Sequence, residues 1–192
     1  MNTQDPSNIE IIAPYVVKIS NTIDSDLWID KIEKISQSSY PFKNYQPSGG
    51  RPHLTMKLPH LFDKDDCLDS IKLRSMFLEK ALPAISFYMD LYQLSHMAPR
   101  QNCITVSKLE ANKPMLEHRD NEDFESKHFI CMMYINDNFL GGELNLIDVG
   151  FKYKPKSGDI MFYRANMKHE VMPCNELRYT MGFGLTDKHE MI

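Results

Sequence analysis

Two periods divide the chain. Before residue 97 apolar positions recur mainly at helical spacing; from residue 103 onward they come in short runs separated by turn residues. Residues 1–9 read as a frayed polar tail, and the apolar, β-branched run Ile11 to Ile19 predicts a first strand. Asn21 to Asp24 offers N-caps for a short helix with Leu27, Ile29, Ile32 and Ile35 on its apolar side. Ser36 to His60 breaks the pattern with Ser, Asn, Pro and Gly, including Ser48, Gly49 and Gly50, and predicts a long loop of the kind that is usually functional or disordered. Asp65 to Leu94 returns to helical spacing through Leu68, Ile71, Ser75, Leu78 and Leu82. Pro83 removes an amide donor there and predicts two helices or one bent helix, with Met76, Phe77, Phe87 and Tyr88 widening the buried face.

The second half predicts strands at Ile104 to Leu109, Phe129 to Ile135, Glu143 to Ile147, Gly150 to Tyr153, Asp159 to Tyr163, Glu170 to Met172 and Arg178 to Leu185. Turn residues separate most of them: Asn136-Asp137-Asn138, Gly141-Gly142, Pro155 to Gly158 and Pro173 to Glu176. Helices followed by many short strands predict an α+β fold whose second half is a sandwich or barrel. The division expected is a single domain over residues 1–192, with helical support mainly over 22–97 and a barrel core over 103–187.

Composition narrows this only slightly. The 192 residues suffice for one domain with a sizeable core, and 42% apolar with 25% charged residues is an ordinary globular balance. A formal net charge of -4 provides no global positive field for nucleic acid, which makes such a substrate the weaker expectation. Cys67, Cys103, Cys131 and Cys174 are scattered without a C-x-x-C pair, as expected for reduced thiols in a cytoplasmic protein. No secretory pattern opens the sequence and no apolar run approaches a membrane span, so no membrane partner is expected; oligomeric state stays open. The 13 methionines are spread along the chain as soft core filling.

The candidate chemistry lies in a short list of polar residues within the β-rich half. His118 and Asp120 sit two apart, and on an extended segment they point to one side. His169 lies 49 residues beyond Asp120 at the head of another strand. Two imidazoles and one carboxylate on one face of an iron ion leave coordination positions open, which a 2-oxo acid and dioxygen can occupy. Arg178 follows His169 by nine residues and shares its strand face with Thr180. Arginine offers a bidentate fork and threonine a hydroxyl for the far carboxylate of a dicarboxylic cosubstrate. On spacing alone the H-x-D pair is weak, and a metal-dependent isomerase, a binding protein on a cupin-like barrel or a catalytically inactive barrel are alternatives. Lys152, Lys154 and Lys156 read as protection of an edge strand. His53, His60, His96, His128 and His189 read as surface or hydrogen-bonded histidines, His128 being the one placed to line a pocket.

Several blocks in order carry a family resemblance over residues 104–185. His118-Arg119-Asp120 resembles an H-x-D motif. Met133-Tyr134-Ile135-Asn136-Asp137 with Gly141-Gly142-Glu143-Leu144 resembles Y-L-N-D…G-G-E-L. Pro155, Gly158, Asp159 and Phe162, then His169-Glu170-Val171, Pro173 and Arg178-Tyr179, resemble the ending P-x-x-G-x-x-x-F…H-E-V-x-P…R-Y. Together they resemble the 2-oxoglutarate and iron(II)-dependent dioxygenases, in their prolyl 4-hydroxylase-like branch. The resemblance implies a double-stranded β-helix, a jelly-roll barrel backed by N-terminal helices. It implies His118, Asp120 and His169 as catalytic iron ligands and Arg178 as the partner of 2-oxoglutarate. Fe(II), 2-oxoglutarate and O2 are the implied cofactors and cosubstrates, with ascorbate as a candidate supporting reductant. The implied reaction hydroxylates a substrate C–H with release of succinate and CO2; Asp120 in the ligand set argues against a halogenase.

The chain departs from the family pattern nine residues before the first iron-binding histidine, where a common cosubstrate-contacting tyrosine is Leu109. The common glycine is Asn112, a second common aromatic is Met115, and the interval from His169 to Arg178 is one residue shorter than in the closest relatives. Thr180 and Tyr134 are the candidate hydroxyls to replace the lost contact. The resemblance makes a prolyl or other residue of a protein or peptide the leading substrate, with a small molecule or free amino acid as the alternative.

Overall fold

The computed structural model describes residues 8–38, 40–44, 53–58, 68–99, 104–120 and 128–188. In chain order the elements are β1 (Ile9–Ala13), β2 (Val16–Ile19), α1 (Ser25–Ser38), β3 (Lys43–Asn44), β4 (His53–Lys57), α2 (Leu68–Leu91), β5 (Met97–Pro99), β6 (Thr105–Leu109), β7 (Met115–His118), β8 (Phe129–Tyr134), β9 (Leu144–Leu146), β10 (Phe151–Tyr153), β11 (Ile160–Arg164), β12 (His169–Val171) and β13 (Arg178–Asp187). A larger antiparallel sheet runs β1-β2-β11-β8-β13-β6-β4-β3, with β5 also paired to β13; a smaller one runs β10-β9-β12-β7. This is the expected α+β architecture, a double-stranded β-helix with helices on one side.

Strand alternation assigns the two faces of the larger sheet. Val106, Met133, Met181, Phe183 and Leu185 pack outward with α1 and α2 in one core cluster. Leu109, Ile130, Tyr134, Met161 and Tyr163 belong to a second cluster, shared with Leu144, Leu146 and Val171 of the smaller sheet. The chemistry develops on that inner side. Outside, Glu33 of α1 accepts hydrogen bonds from Lys108 Nζ of β6 at 2.7 Å and Tyr179 Oη of β13 at 2.6 Å, pinning the helix to both strands.

Several expectations are corrected. Ile11 to Ile19 is a hairpin rather than one strand, with Ile9 paired to Ile19 around Pro14 and Tyr15. Tyr15 takes a left-handed backbone (φ 63°), offset by ring stacking on Tyr92 at 4.6 Å and a hydrogen bond from Tyr88 Oη to its carbonyl at 2.9 Å. Asp24 caps α1 through the amide of Leu27 at 3.1 Å, but Leu27 is exposed and Trp28 joins Ile32 and Ile35 on the buried face.

The second helix is one continuous element running through Pro83. Its buried face is Leu73, Phe77, Ala81, Ala84, Ile85 and Tyr88, whereas Leu68 and Leu82 are exposed. Apolar residues wrap most of this helix, so two stripes share helical spacing. The aromatic stripe faces the sheet, with Phe77 edge-on to Phe183 at 5.6 Å and Tyr88 stacked on Phe162 at 4.6 Å.

The predicted loop over 36–60 contains the end of α1 and two strands; residues 45–52 and 59–67 lie outside the described residues. His-Leu-Thr-Met-Lys at 53–57 alternates polar and apolar positions and pairs with β6 throughout, Met56 turning outward to the helices. Strands β6 and β8 to β13 lie within a residue or two of their predicted positions. Met115–His118 forms the unpredicted β7, at one edge of the smaller sheet, where Leu116 is 71% exposed. Gly141 and Gly142 both have positive φ in a turn where Gly142 donates its amide to Pro173 at 3.0 Å.

Candidate metal and cosubstrate site

His118 and His169 stand directly opposite each other across β7 and β12, with ring centroids 4.2 Å apart. Asp120 lies just past the end of β7. Its Oδ1 is 3.7 Å from His118 Nε2 and its Oδ2 is 3.7 Å from His169 Nε2. The three ligand atoms lie within 4.8 Å of one another, which brings together the residues that the sequence order groups as a set. Each imidazole is oriented through its other nitrogen: His118 Nδ1 bonds the carbonyl of Leu116 at 2.7 Å and His169 Nδ1 that of Met167 at 2.9 Å. With Nδ1 donating, the Nε2 lone pair of each ring points to the common centre, as a metal ligand requires.

The turn between β11 and β12 holds this arrangement through three successive carbonyls. Ala165 accepts the amide of Asp120 at 2.8 Å, Asn166 accepts from the guanidinium of Arg119, and Met167 accepts from His169. Arg119 also pairs with Asp148 at 3.1 Å, and Asp148 takes the amide of Lys168 at 2.9 Å. Tyr163 of β11 donates to Asp120 Oδ2 at 3.3 Å and presents its ring edge to His169 at 5.1 Å. In the sequence Tyr163 reads only as part of an apolar strand, because its partner Asp120 lies 43 residues away.

Arg178 begins β13 inside the barrel and is 3% exposed. Among the described residues its Nε and Nη2 have no hydrogen-bond partner, and neither has the wholly buried hydroxyl of Tyr134, whose ring lies 5.1 Å from the guanidinium. Burial pushes the Tyr134 phenol up to about 12, partly offset by Arg178, so it remains a donor at neutral pH. Thr180 pairs with Tyr134 across β13 and β8 and faces the same space. A buried guanidinium with unmet donors is costly unless an anion completes it. Leu109 pairs directly with Arg178, so the position of the family tyrosine is apolar but adjacent to the arginine. Asn112 has φ 60°, a conformation that asparagine tolerates well, so this departure keeps the backbone turn.

The three clustered donors, Tyr163, Arg178, Thr180 and Leu109 border one cavity of about 340 Å³ between the sheets. The alternation along β13 puts Gly182 and Gly184 on the cavity side and Tyr179, Met181 and Leu185 outward; Phe183 packs outward against Phe77 but also borders the cavity. His53 is buried and lines the cavity rather than standing at the surface; half-buried Thr55 and exposed Lys57, from the segment expected to be a loop, line it too. His96 and His128 are exposed, and His128 does not border the cavity. His60, His189 and residues 121–127 lie outside the described residues. Lys152 lies on edge strand β10, while Lys154 is drawn to the carbonyls of Phe139 and Gly141.

The donor set fits a divalent iron ion: two neutral imidazole nitrogens, one carboxylate and an adjoining cavity. The orphaned donors of Arg178 and Tyr134 fit the far carboxylate of a 2-oxo diacid.

No family model matches the chain, and no curated protein matches it in sequence. Solved structures match it in fold. A prolyl hydroxylase from Trichoplax adhaerens, in complex with a hypoxia inducible factor oxygen degradation domain peptide fragment, superposes with a TM-score of 0.68 at 18% identity, over 91% of this chain and 84% of that one. An oxidoreductase of the 2OG-Fe(II) oxygenase family from Burkholderia pseudomallei gives 0.66 at 11% identity, over 90% and 85%. A viral collagen prolyl hydroxylase from Paramecium Bursaria Chlorella virus-1, in its 2OG complex, gives 0.60 at 12% identity, over 90% and 96%. The chain therefore has the double-stranded β-helix fold of the 2OG-Fe(II) oxygenases, with prolyl hydroxylases among its structural neighbours.

Proposed function

We propose that the protein is an Fe(II)- and 2-oxoglutarate-dependent dioxygenase that hydroxylates a substrate C–H bond. The observation that carries this reading is the pairing, in one cavity, of the His118–Asp120–His169 cluster with the unmet donors of Arg178. His118, Asp120 and His169 would hold the metal, and Arg178, Tyr134 and Thr180 the far carboxylate of the cosubstrate. With both bound, the site supplies oxidation of a substrate C–H by O2, 2-oxoglutarate leaving as succinate and CO2. The chain orients the imidazoles through Leu116 and Met167, positions the carboxylate through Tyr163, and excludes water with Leu109, Leu144 and Val171. A metal-binding barrel without a cosubstrate gives no role to a buried arginine with open donors.

A prolyl or other residue of a peptide or protein is the leading substrate class, supported by the prolyl hydroxylases among the fold neighbours. A small molecule is the second reading, favoured by the modest cavity and its polar wall. Buried thiols at Cys131 and Cys174 support a reducing, cytoplasmic setting. The test is an anaerobic titration of the iron-loaded protein with 2-oxoglutarate, read by a weak visible absorption band. Wild type should show the band. His118→Ala and His169→Ala should lose the metal. Arg178→Ala should keep the metal but bind 2-oxoglutarate roughly a hundredfold more weakly, the low end of the cost of orphaning a buried charge. Arg178→Lys should recover only part, having lost the rigid fork. An unchanged 2-oxoglutarate affinity in Arg178→Ala overturns the cosubstrate assignment.

A further inference from the structure

The inner face of the larger sheet carries a polar wall that extends from Thr180 beyond anything the metal cluster or the cosubstrate pocket uses. Register sets it out in rows. Thr55 of β4 pairs with Ser107 of β6, and Ser107 with Thr180 of β13, so three hydroxyl residues lie side by side across three strands. At the usual strand spacing this row spans roughly 10 Å. The row behind pairs Lys57 with Thr105 and Thr105 with Gly182. All of these residues border the cavity, across from the smaller sheet that carries His118 and His169.

Thr180 lies at the Arg178 end of the row and is accounted for by the cosubstrate. Thr55 and Ser107 are not. They are half-buried, and neither hydroxyl has a hydrogen-bond partner among the described residues. Lys57 projects from the same face of β4 as Thr55, exposed at its outer end, and forms no ion pair among the described residues. Its neighbours Leu54 and Met56 belong to the other face, Met56 being buried under the helices. Two unpaired hydroxyls, with an ammonium two residues along the same strand face from Thr55, border a cavity whose apolar lining includes Leu109, Met132, Leu144 and Val171, and form a set of donors suited to a carboxylate.

We propose that Lys57, Thr55 and Ser107 form the recognition site for a carboxylate of the primary substrate, distinct from the cosubstrate carboxylate at Arg178. This rests on the dioxygenase reading and gives its substrate a chemical class. The compound oxidised carries a free carboxylate, held on β4 and β6 while its reacting carbon faces the metal cluster across the cavity. The same chemistry is presented by a free amino acid or other small organic acid and by the C-terminus or an acidic side chain of a peptide.

The experiment measures succinate release by the iron-loaded full chain with 2-oxoglutarate and O2. It uses a panel of free L-amino acids, their C-terminal amides, and short peptides with free or amidated C-termini and with acidic or neutral side chains. Compounds with a carboxylate should stimulate release, and the matched amide should not. Stimulation by free amino acids assigns a small acid; stimulation confined to peptides with a free C-terminus or an acidic side chain assigns a chain carboxylate. Lys57→Met should raise the KM for the stimulating acid about tenfold or more, as expected for a lost charge-assisted hydrogen bond. Lys57→Arg should restore most of it, and Ser107→Ala and Thr55→Val should each cost a few-fold. The KM for 2-oxoglutarate should stay within about twofold in all four variants.

Amides as effective as acids, no stimulation by any member of the panel, an unchanged KM in Lys57→Met, or a weakened 2-oxoglutarate KM in that variant would each overturn the assignment. The anaerobic 2-oxoglutarate band separates the two levels. If the band is absent in wild type, the dioxygenase reading falls and this one with it; if it is present, those outcomes count against the carboxylate site alone.

Discussion

The hydroxyl of Tyr163 donates to Asp120 Oδ2 at 3.3 Å while the same ring lies edge-on to His169 at 5.1 Å. One wholly buried side chain on β11 thus touches two of the three clustered donors. Burial, and then the carboxylate of Asp120, hold the phenol well above its ordinary range, so it stays protonated and able to donate. Tyr163→Phe keeps the ring and removes only the hydrogen bond. Partners of this kind commonly contribute about 10- to 100-fold in metal affinity. With a contact this long, the expected loss is about tenfold in Mn(II) affinity, read by titration, with little change in melting temperature. Unchanged affinity would show that Asp120 is held by its backbone alone.

Arg119 occupies the middle position of H-x-D yet points away from the cluster, tying the β11–β12 turn to Asp148. The carbonyls on either side of its contact at Asn166 hold Asp120 and His169. Arg119→Ala should therefore loosen the ligands without touching them, lowering Mn(II) affinity several-fold, with partial recovery in Arg119→Lys. Arg164 offers the control. It borders the same outer cleft but stacks on Tyr15 at 3.9 Å, and Arg164→Ala should leave metal affinity unaltered. Equal losses in both variants would point to a general surface effect.

The barrel strands were legible because their residues alternate between a helix-covered face and an inner face, with turn residues at each end. Arg178 and Thr180 were readable on the inner face because Tyr179 and Met181 plainly belong to the other. The convergence of His118, Asp120 and His169 could be anticipated from order but not from local pattern, since β7 is a short, half-exposed edge strand with little apolar signal. The largest miss was β4. Its flanks are polar and rich in Pro and Gly, which masked the alternation His53, Thr55, Lys57 against Leu54, Met56. The second helix is legible in the sequence but its rotation is not, because apolar residues on more than one of its faces do not announce which stripe meets the sheet. Tyr163 and Arg119 act through contacts with distant carbonyls and carboxylates, and nothing local to either residue encodes such a partner.

The clamp between α1 and the sheet predicts a pH dependence. Burial pushes the Glu33 carboxyl up, but hydrogen bonds from Lys108 and Tyr179 outweigh it and leave it below the ordinary 4.5. A carboxyl depressed in the folded state contributes stability that is present above its unfolded value and lost as pH falls through the folded value. Glu33→Gln should cost on the order of 1 kcal/mol at pH 7, allowing for the partial exposure of the pair. The difference from wild type should shrink as pH drops below 4.5. Urea denaturation of both proteins at pH 7 and about pH 3.5 checks this; a constant difference across that range would remove the charge from the explanation.

Gly182 separates steric necessity from cavity space. It lies on the inner face between Thr180 and Gly184, where a small residue leaves room for a bound molecule. Yet a Cβ built on Gly182 would overlap the carbonyl oxygen of Cys131 and come within 3.1 Å of Met132 Cα and 3.3 Å of the Cys131 carbonyl carbon. All three atoms belong to the backbone of β8, which is paired on both sides, with β11 and β13, and cannot move aside as a flexible side chain would. Glycine is therefore required here by the close approach of two strands. Gly182→Ala should destabilise by roughly 1–3 kcal/mol, the usual cost of overpacking. For a chain of this size that lowers the melting temperature by about 2–12 °C. Since β13 begins with Arg178, any shift that relieves the overlap also displaces the guanidinium. The variant should accordingly bind 2-oxoglutarate more weakly even where it remains folded, while His118, Asp120 and His169, none of which lies on β13, retain the metal. Calorimetry together with paired Mn(II) and 2-oxoglutarate titrations distinguishes the cases: a Gly182→Ala variant of wild-type stability would mean that β8 yields, and parallel losses of both ligands would mean that the whole barrel has shifted.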